Sequence, residues 1–504
     1  MRRFLEMLPG LLAWGGLLLL TLFSWRLPAV VAIFIILFDV YWLLRTVYFT
    51  IHLRTSFQKM RQQLQVNWSD RLKPLRWQQL YHLIILPMCN EPYEIVRETL
   101  ESLSRLKYPN NKILVVLATE ERAGSAAEEV AKKIKDEFQS AFGQLLVTRH
   151  PNNLPGEIPG KGSNEAWAAR EAQRLILDPQ KIPYENVIAS VFDVDTQVLP
   201  DYLNILTYNF LLAEKPQRSS FQPIPFYTNN IYQAPALARV LSFSSTFWQM
   251  MQQAMPEKLV TFSSHSLPFK ALVEIGFWQT DVVSEDSRIF WQLYLHYQGD
   301  WRVVPLYYPV SMDANADPSF FRTLGNLYKQ QRRWAYGAEN IAFLLNGFRT
   351  ASIPLGKKIF WGVHLLEGNL SWATNSLIIF AFGWLPLLLG GQRFNYNLLS
   401  ANLPKITSWI MLAASLGIAF SALLAIVLLP PKPKWFRPHH YVFYLIQWAL
   451  LPITLIIFSC LPAMEAQTRL MLGGKFRLGF WLTPKSRAAE PKTNIIKNAV
   501  LRIK

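Results

Sequence analysis

Apolar segments long enough to cross a bilayer stand near both ends of this 504-residue chain, on either side of a more polar middle. A hydrocarbon core offers the backbone no hydrogen-bond partners, so such segments must be helical and the middle must lie on one face of the membrane. Leu5 to Trp25 holds about 20 residues with Glu6 as its only charge, enough for the core at roughly 1.5 Å rise per residue. Pro28 to Tyr48 forms a second candidate span. Beyond the middle, Ile406 to Leu429 is a clean span, and Tyr441 to Leu461 another, interrupted by Pro452. Ile359 to Leu389 is longer than one crossing needs. It reads as an interfacial stretch around His364, Glu367 and Asn369 leading into a helix from Trp372. A 51% apolar composition with a mean hydropathy of +0.13 also argues against an ordinary soluble chain.

Basic residues indicate sidedness. Arg2 and Arg3 precede the first segment, and His52, Arg54, Lys59 and Arg61 follow the second, so the N-terminus and the middle are expected in the cytoplasm. Arg2 and Arg3 also begin like a signal peptide. The segment, however, ends in bulky Phe23 and Trp25 and then Arg26-Leu27-Pro28, which argues against cleavage. The net charge of +17 therefore reads as a cytoplasmic face, because no long basic run or nucleic-acid motif points to a nucleic-acid partner. Cys89 and Cys460 are too few for a disulfide framework and read as buried thiols.

The tail raises a conflict. Three crossings after a cytoplasmic middle would export Ala463 to Lys504, yet that tail carries Arg469, Lys475, Arg477, Lys485, Arg487 and further cations against Glu465 and Glu490. Either the Pro452 segment is re-entrant or the stretch 359–389 crosses twice; the charge bias favours a cytoplasmic tail. Asp39, inside the second span, is expected to face the bundle or a wet path, as a helix–helix contact or as part of translocation.

Between about Arg76 and Arg349 the pattern changes. Leu83 to Pro87 is a continuous apolar run, the mark of a strand buried on both faces. A helical stretch over Glu91 to Leu106 follows, then a strand at Ile113 to Leu117, a helix over Ala126 to Phe142 and a strand at Leu145 to Thr148. Another helix, Asn164 to Leu177, precedes the strand Val187 to Phe192. This alternation predicts a mostly parallel, doubly wound α/β sheet, which binds ligands beyond the carboxyl ends of its strands.

Asp193 and Asp195 lie at such an end. Read as extended residues two apart, they point the same way and can face one ion. Hard oxygen ligands suit Mg2+ or Mn2+, whose shells substrate phosphates and water complete. Alone, the pair reads more readily as a turn of solvated acids. Glu285 and Asp286 begin a helical run from Arg288; adjacent carboxylates split their protonation behaviour, which suits a general base, but an acidic first turn also offsets a helix dipole. Gln330, Arg333 and Trp334 share a helical face offering a phosphate fork and a flat indole. Taken alone, that helix fits a lipid-headgroup surface equally well, and Lys329 and Arg332 read as solvated or headgroup contacts.

Leu86-Pro87-Met88-Cys89-Asn90-Glu91, Gly160-Lys161-Gly162, Asp193-Val194-Asp195, Ser284-Glu285-Asp286 and Gln330-x-x-Arg333-Trp334 together resemble the ordered signature of membrane-embedded family 2 glycosyltransferases. The last element is typical of the processive cellulose, chitin and hyaluronan synthases. The resemblance implies a GT-A (Rossmann-like) catalytic domain inserted between transmembrane helices, an inverting reaction and a nucleotide-diphosphate sugar donor. By analogy Asp286 would deprotonate the acceptor hydroxyl and Asp195 would hold the Mg2+ or Mn2+ cofactor. Asp193, Glu120, Lys161, Gln330 and Arg333 would bind the donor, and Trp334 and Glu285 the acceptor. Where relatives carry an acidic pair after the second strand, this chain has Ala118-Thr119-Glu120-Glu121, so Glu120 stands in for the base-reading acid and the nucleotide preference stays open. Phe480-Trp481-Leu482-Thr483-Pro484-Lys485 is similar to the gating loop of cellulose synthases, with Leu for Val; a chance match is the alternative.

The expected organisation is two membrane helices over 1–50 and a cytoplasmic catalytic domain with interfacial helices over 51–350. A membrane bundle over 351–462 and a basic cytoplasmic tail over 463–504 complete it. The expected setting is a multi-pass protein of a bacterial plasma membrane. The leading reading is a polysaccharide synthase elongating a glycan, with coupling to its translocation as a further expectation. Single transfer to a lipid-linked acceptor, such as a polyprenyl phosphate or diacylglycerol, is the second, and a non-catalytic scaffold with a degenerate domain the third.

Overall fold

The computed structural model describes residues 1–484. Its centre is an eight-stranded sheet built from β1 (Tyr81–Pro87), β2 (Ile113–Glu120), β3 (Gln144–His150), β4 (Val187–Val191), β5 (Gln197–Val198), β6 (Ser219–Tyr227), β7 (Ser266–Pro268) and β8 (Arg302–Met312). The order across the sheet is β3-β2-β1-β4-β7-β6-β8-β5. Pairs β1/β2, β1/β4, β2/β3 and β6/β8 are parallel. Only β4/β7, β6/β7 and β5/β8 run antiparallel, so the sheet is mostly parallel, as the alternation predicts.

Alternating side chains divide the core into two layers. In β1, Ile84 and Leu86 pack with Val96, Leu100 and Leu103 of the helix Tyr93–Ser104, while Leu83 and Ile85 pack with Ala166, Ala169 and Ala172 of the helix Lys161–Ala172. In β2, Val115 and Leu117 join the first layer, Leu114 and Val116 the second. Burial on both faces explains the uninterrupted apolar runs. The alanines of the Lys161 helix let its backbone lie close to the strands.

Among the described residues, four helices are long and apolar enough to cross a membrane: Arg2–Arg26, Pro28–Gln65, Leu398–Val427 and the segmented run Pro438–Leu472. Leu355–Phe380 and Phe382–Leu389 form a further candidate, bent by 50° at the break. The second helix runs farther than its apolar stretch. It continues unbroken to Gln65 and sends Leu53, Met60 and Leu64 into the first core layer.

Both ends of the run Pro438–Leu472 touch the sheet domain. Arg239 stacks on Tyr444 at 4.2 Å, and Trp448 on Phe247 at 5.8 Å. At the other end Glu465 pairs with Arg332 and accepts from Tyr328 Oη at 2.9 Å. The preceding loop is also attached there, since Tyr232 Oη donates to the Pro430 carbonyl at 2.6 Å. The first helix clasps the same end: Arg3 donates to the Leu470 carbonyl at 2.8 Å, Trp14 to Thr468 at 2.8 Å, and Arg477 pairs with Glu6.

Candidate active site

The sequence Gly160-Lys161-Gly162 opens the Lys161 helix, and each residue has a separate packing task. A Cβ on Gly160 would meet Phe480 Cγ at 2.5 Å, and one on Gly162 would meet Glu285 Cβ at 2.9 Å. Between them the buried Lys161 ammonium lies 2.8 Å from Asp193 Oδ1 and 2.8 Å from Asp286 Oδ1. Glu165 Oε1 stands at 3.6 Å and Glu285 Oε1 at 3.8 Å. Four carboxylates from three segments therefore surround one cation.

Burial alone would lower the Lys161 pKa, but Asp193, Asp286, Glu165 and Glu285 outweigh it and hold the ammonium well above the ordinary range. Burial, reinforced by Asp286, pushes the Glu285 carboxyl up to about 8. Glu165, with no exposed surface, is raised well above the usual carboxylate range, again chiefly by burial. So burial opposes ionisation of both Glu165 and Glu285, next to the charged Lys161.

The helix Glu285–His296 aims Asp286 at this cluster. Its N-terminus is fixed by Glu339, which accepts from Val283 N and Ser284 N at 3.1 Å each. Asn340 donates to Ser287 at 2.9 Å, and the buried Arg288 bonds Asn340 and, at 2.8 Å, Gln279. Behind Asp286, His265 Nδ1 lies 3.7 Å from Oδ1 and 3.0 Å from the Phe262 carbonyl. Burial lowers the His265 pKa and favours the neutral ring.

Asp193 and Asp195 do not form the extended pair expected. Thr196 N donates to the Asp193 carbonyl at 2.8 Å, closing a turn over Asp193-Val194-Asp195. The two carboxylates accordingly have different neighbours. Asp193 accepts from Ser263 Oγ at 3.0 Å beside Lys161, whereas the fully buried Asp195 accepts from Asp313 N at 2.9 Å. Among the described residues no three His, Cys, Asp or Glu side chains gather as a metal cage. The hard oxygens of the two aspartates fit an ion that takes the rest of its shell from phosphate and water.

Gln330, Arg333 and Trp334 occupy the helix Phe320–Ala335. Gln330 accepts from Asn315 Nδ2 at 3.2 Å, and the Trp334 ring packs between Tyr227 and Phe262 with centroids 6.1 and 5.7 Å away. Arg333 lies 4.5 Å from the Phe480 ring, and its buried Nε has no hydrogen-bond partner among the described residues. Of the two neighbouring cations, Arg332 is half-buried and Lys329 exposed. The first pairs with Glu465, and the second sits 5.6 Å from the Trp481 ring. Phe480 and Trp481 of the gating-like motif thus reach the Arg333 helix, while Lys485 lies outside the described residues.

Glu120 sits apart from the lysine cluster. It is buried and bonded bidentately by Arg122 at 2.6 and 3.0 Å, a partner two residues away that sequence reading passed over. Glu165, His265 and Asp313 were missed as well. Only Glu165 had a signal, its i, i+4 spacing from Lys161 on a helix.

Residues 190–461 match the family described as Glycosyl transferase family group 2, more than half of the chain. The chain belongs to this family. The match takes in Asp193, Asp195, Glu285, Asp286, Gln330, Arg333 and Trp334, and the protein is a glycosyltransferase with a GT-A-like fold flanked by membrane-length helices. Among its relatives is the poly-beta-1,6-N-acetyl-D-glucosamine synthase of Staphylococcus aureus (strain COL), 24% identical over 63% of this chain and 67% of that one. The synthase of the same name from Staphylococcus epidermidis is 23% identical over 61% and 64%. A Pyrobaculum calidifontis mannosyltransferase solved with GDP-Man and Mn2+ overlaps 83% of this chain and 99% of its own at 15% identity and a TM-score of 0.39. This family 2 glycosyltransferase is thus related to polysaccharide synthases.

Proposed function

We propose that this protein is an inverting, membrane-bound polysaccharide synthase that moves N-acetylglucosamine from a nucleotide-diphosphate donor to a growing glycan. The carrying observation is the shared ammonium of Lys161, which touches both Asp193 and Asp286 at 2.8 Å. It brings the donor side and the acceptor side of a displacement within one side chain's reach. Relatives named as poly-N-acetylglucosamine synthases support the choice of sugar.

In this reading Asp286 accepts the proton of the attacking hydroxyl, and the network of Glu339, Asn340 and Arg288 keeps it aimed. Asp193 and Lys161 face the donor diphosphate, and Gln330 and Arg333 flank it. Trp334, seated against Tyr227 and Phe262, offers a face to the acceptor sugar. Glu285 lies under Gly162 and backs the base, and Glu120 with Arg122 meets the nucleotide base. Asp195, with Asp193, would hold a Mg2+ or Mn2+ ion, which supplies charge to a leaving diphosphate.

The tail is read as cytoplasmic and the run Pro438–Leu472 as re-entrant or interfacial, with four crossings in all. Contacts of both ends of that run with the catalytic side support this, as does the tail's charge.

Asp286→Asn tests the base. Turnover of UDP-N-acetylglucosamine with Mg2+ or Mn2+ should fall by about 10²–10⁴-fold while donor binding by calorimetry and the thermal unfolding midpoint persist. Wild-type turnover in that variant would remove Asp286 from the role. A ladder of oligomers on a gel supports polymerisation, and a single glycolipid product would replace it with lipid-acceptor transfer.

A further inference from the structure

Glu165 has no part in the assignment above, yet it is the most enclosed group of the cluster. Its side chain has no exposed surface, and neither carboxyl oxygen has a hydrogen-bond partner among the described residues. Among the described residues its one ion pair is with Lys161, one helical turn earlier, with Nζ at 3.6 Å from Oε1. Near it on the helix stand Ala166, Ala168 and Ala169, all fully buried, whose side chains offer no polar partner for a carboxyl. A polar group buried so deeply costs stability unless a partner compensates. An apolar residue would serve packing better here, as alanine does at the neighbouring positions.

The lysine needs a fixed position. Its four-carbon stem is flexible, and its ammonium must meet Asp193 and Asp286, which arrive from different segments. Asp193 and Asp286 lie on the more open side of the ammonium, whereas Glu165 and Glu285 close its buried side. Gly162 brings Glu285 against the helix, and Glu165 is fixed rigidly on that same helix.

We infer that Glu165 is a positioning residue for the transferase reaction: from one turn behind, it sets where the Lys161 ammonium sits between Asp193 and Asp286. The inference rests on the proposed function for its kinetic consequence, but not for the contact itself. An amide of the same shape keeps an oxygen facing the Lys161 ammonium, so glutamine should substitute for it.

The test is a double-mutant cycle on the full-length protein, with Glu165→Leu, Glu165→Gln and Lys161→Met, assayed with UDP-N-acetylglucosamine. Glu165→Leu should lower kcat by about 10-fold or more with the donor KM changed much less, because a misplaced group costs alignment more than binding. Glu165→Gln should recover most of that loss. In the Lys161→Met background, Glu165→Leu should add little, since no ammonium remains to be placed. Glutamine as poor as leucine, or losses that simply add, would overturn the inference, because an ordinary packing defect is not rescued by an amide and does not depend on Lys161. The same cycle read by thermal unfolding, without nucleotide, needs no donor. If the wild type does not turn over the donor, the functional reading fails, and coupling or additivity in the unfolding cycle still decides for or against the contact.

Discussion

Glu285 links folding to pH. An unfolded chain ionises this acid above its ordinary value of 4.5, whereas the folded carboxyl keeps its proton up to about 8. Between those values unfolding releases a proton, so rising pH favours the unfolded state; the stabilising contribution is present below about 4.5 and is lost as pH climbs to about 8. Glu285→Gln removes this release. The unfolding midpoint of the variant should decline less steeply from about pH 5 to pH 8 than that of the wild type. Parallel declines would show that Glu285 is ionised in the folded protein. The position of Asp286 at the start of a helix was legible, because acidic residues follow an apolar pair there. The enclosure of Glu285 was not, since it depends on Gly162 arriving from a segment far away in sequence. Glu120 teaches the same lesson: its type and strand-end place were readable, but its pairing with Arg122 depends on how the backbone turns after β2.

Among the elements, the glycine-flanked helix start joins the catalytic domain to the tail. Gly160 admits Phe480, and Phe480 in turn lies over Arg333. Gly160→Ala should push Phe480 off this seat, because the new Cβ would stand 2.5 Å from its ring. A loss of turnover of about 10-fold is expected, and Gly160→Ala combined with Phe480→Gly should restore part of it. An unchanged rate in Gly160→Ala would show that the seat of Phe480 has no bearing on transfer. Strands were legible where burial on both faces leaves an unbroken apolar run, as in β1 and β2. The three-residue β7 has no such run, and the antiparallel insertion it makes between β4 and β6 could not be foreseen from periodicity. At Asp193 the strand reading extended too far, because the hydrogen bond from Thr196 bends the backbone into a turn directly after β4.

On the scale of the whole molecule, sequence reading left the sidedness of the tail split between two crossing counts. The contacts of Tyr444, Glu465 and Phe480 with the catalytic side favour a run that returns to the face it left. Cysteine labelling in intact cells checks this. Tyr396→Cys, in the highly exposed loop before the helix Leu398–Val427, should react with an impermeant maleimide from outside. Lys475→Cys, in the exposed start of the tail, should react only after permeabilisation. Labelling of both from outside would overturn the four-crossing reading.

The unbroken helix Pro28–Gln65 gives the molecule a ruler. Its 38 residues span about 57 Å at 1.5 Å each, and roughly 30 Å of that suffices for the hydrocarbon core. The rest is a stiff mast, with Leu53, Met60 and Leu64 mortised into the sheet's own core. The height of the sugar-transfer centre above the lipid is therefore set by helix geometry rather than by a slack tether. On the proposed synthase reading, each addition would take place at the same altitude, and a glycan fed toward the bilayer would start every cycle from the same distance.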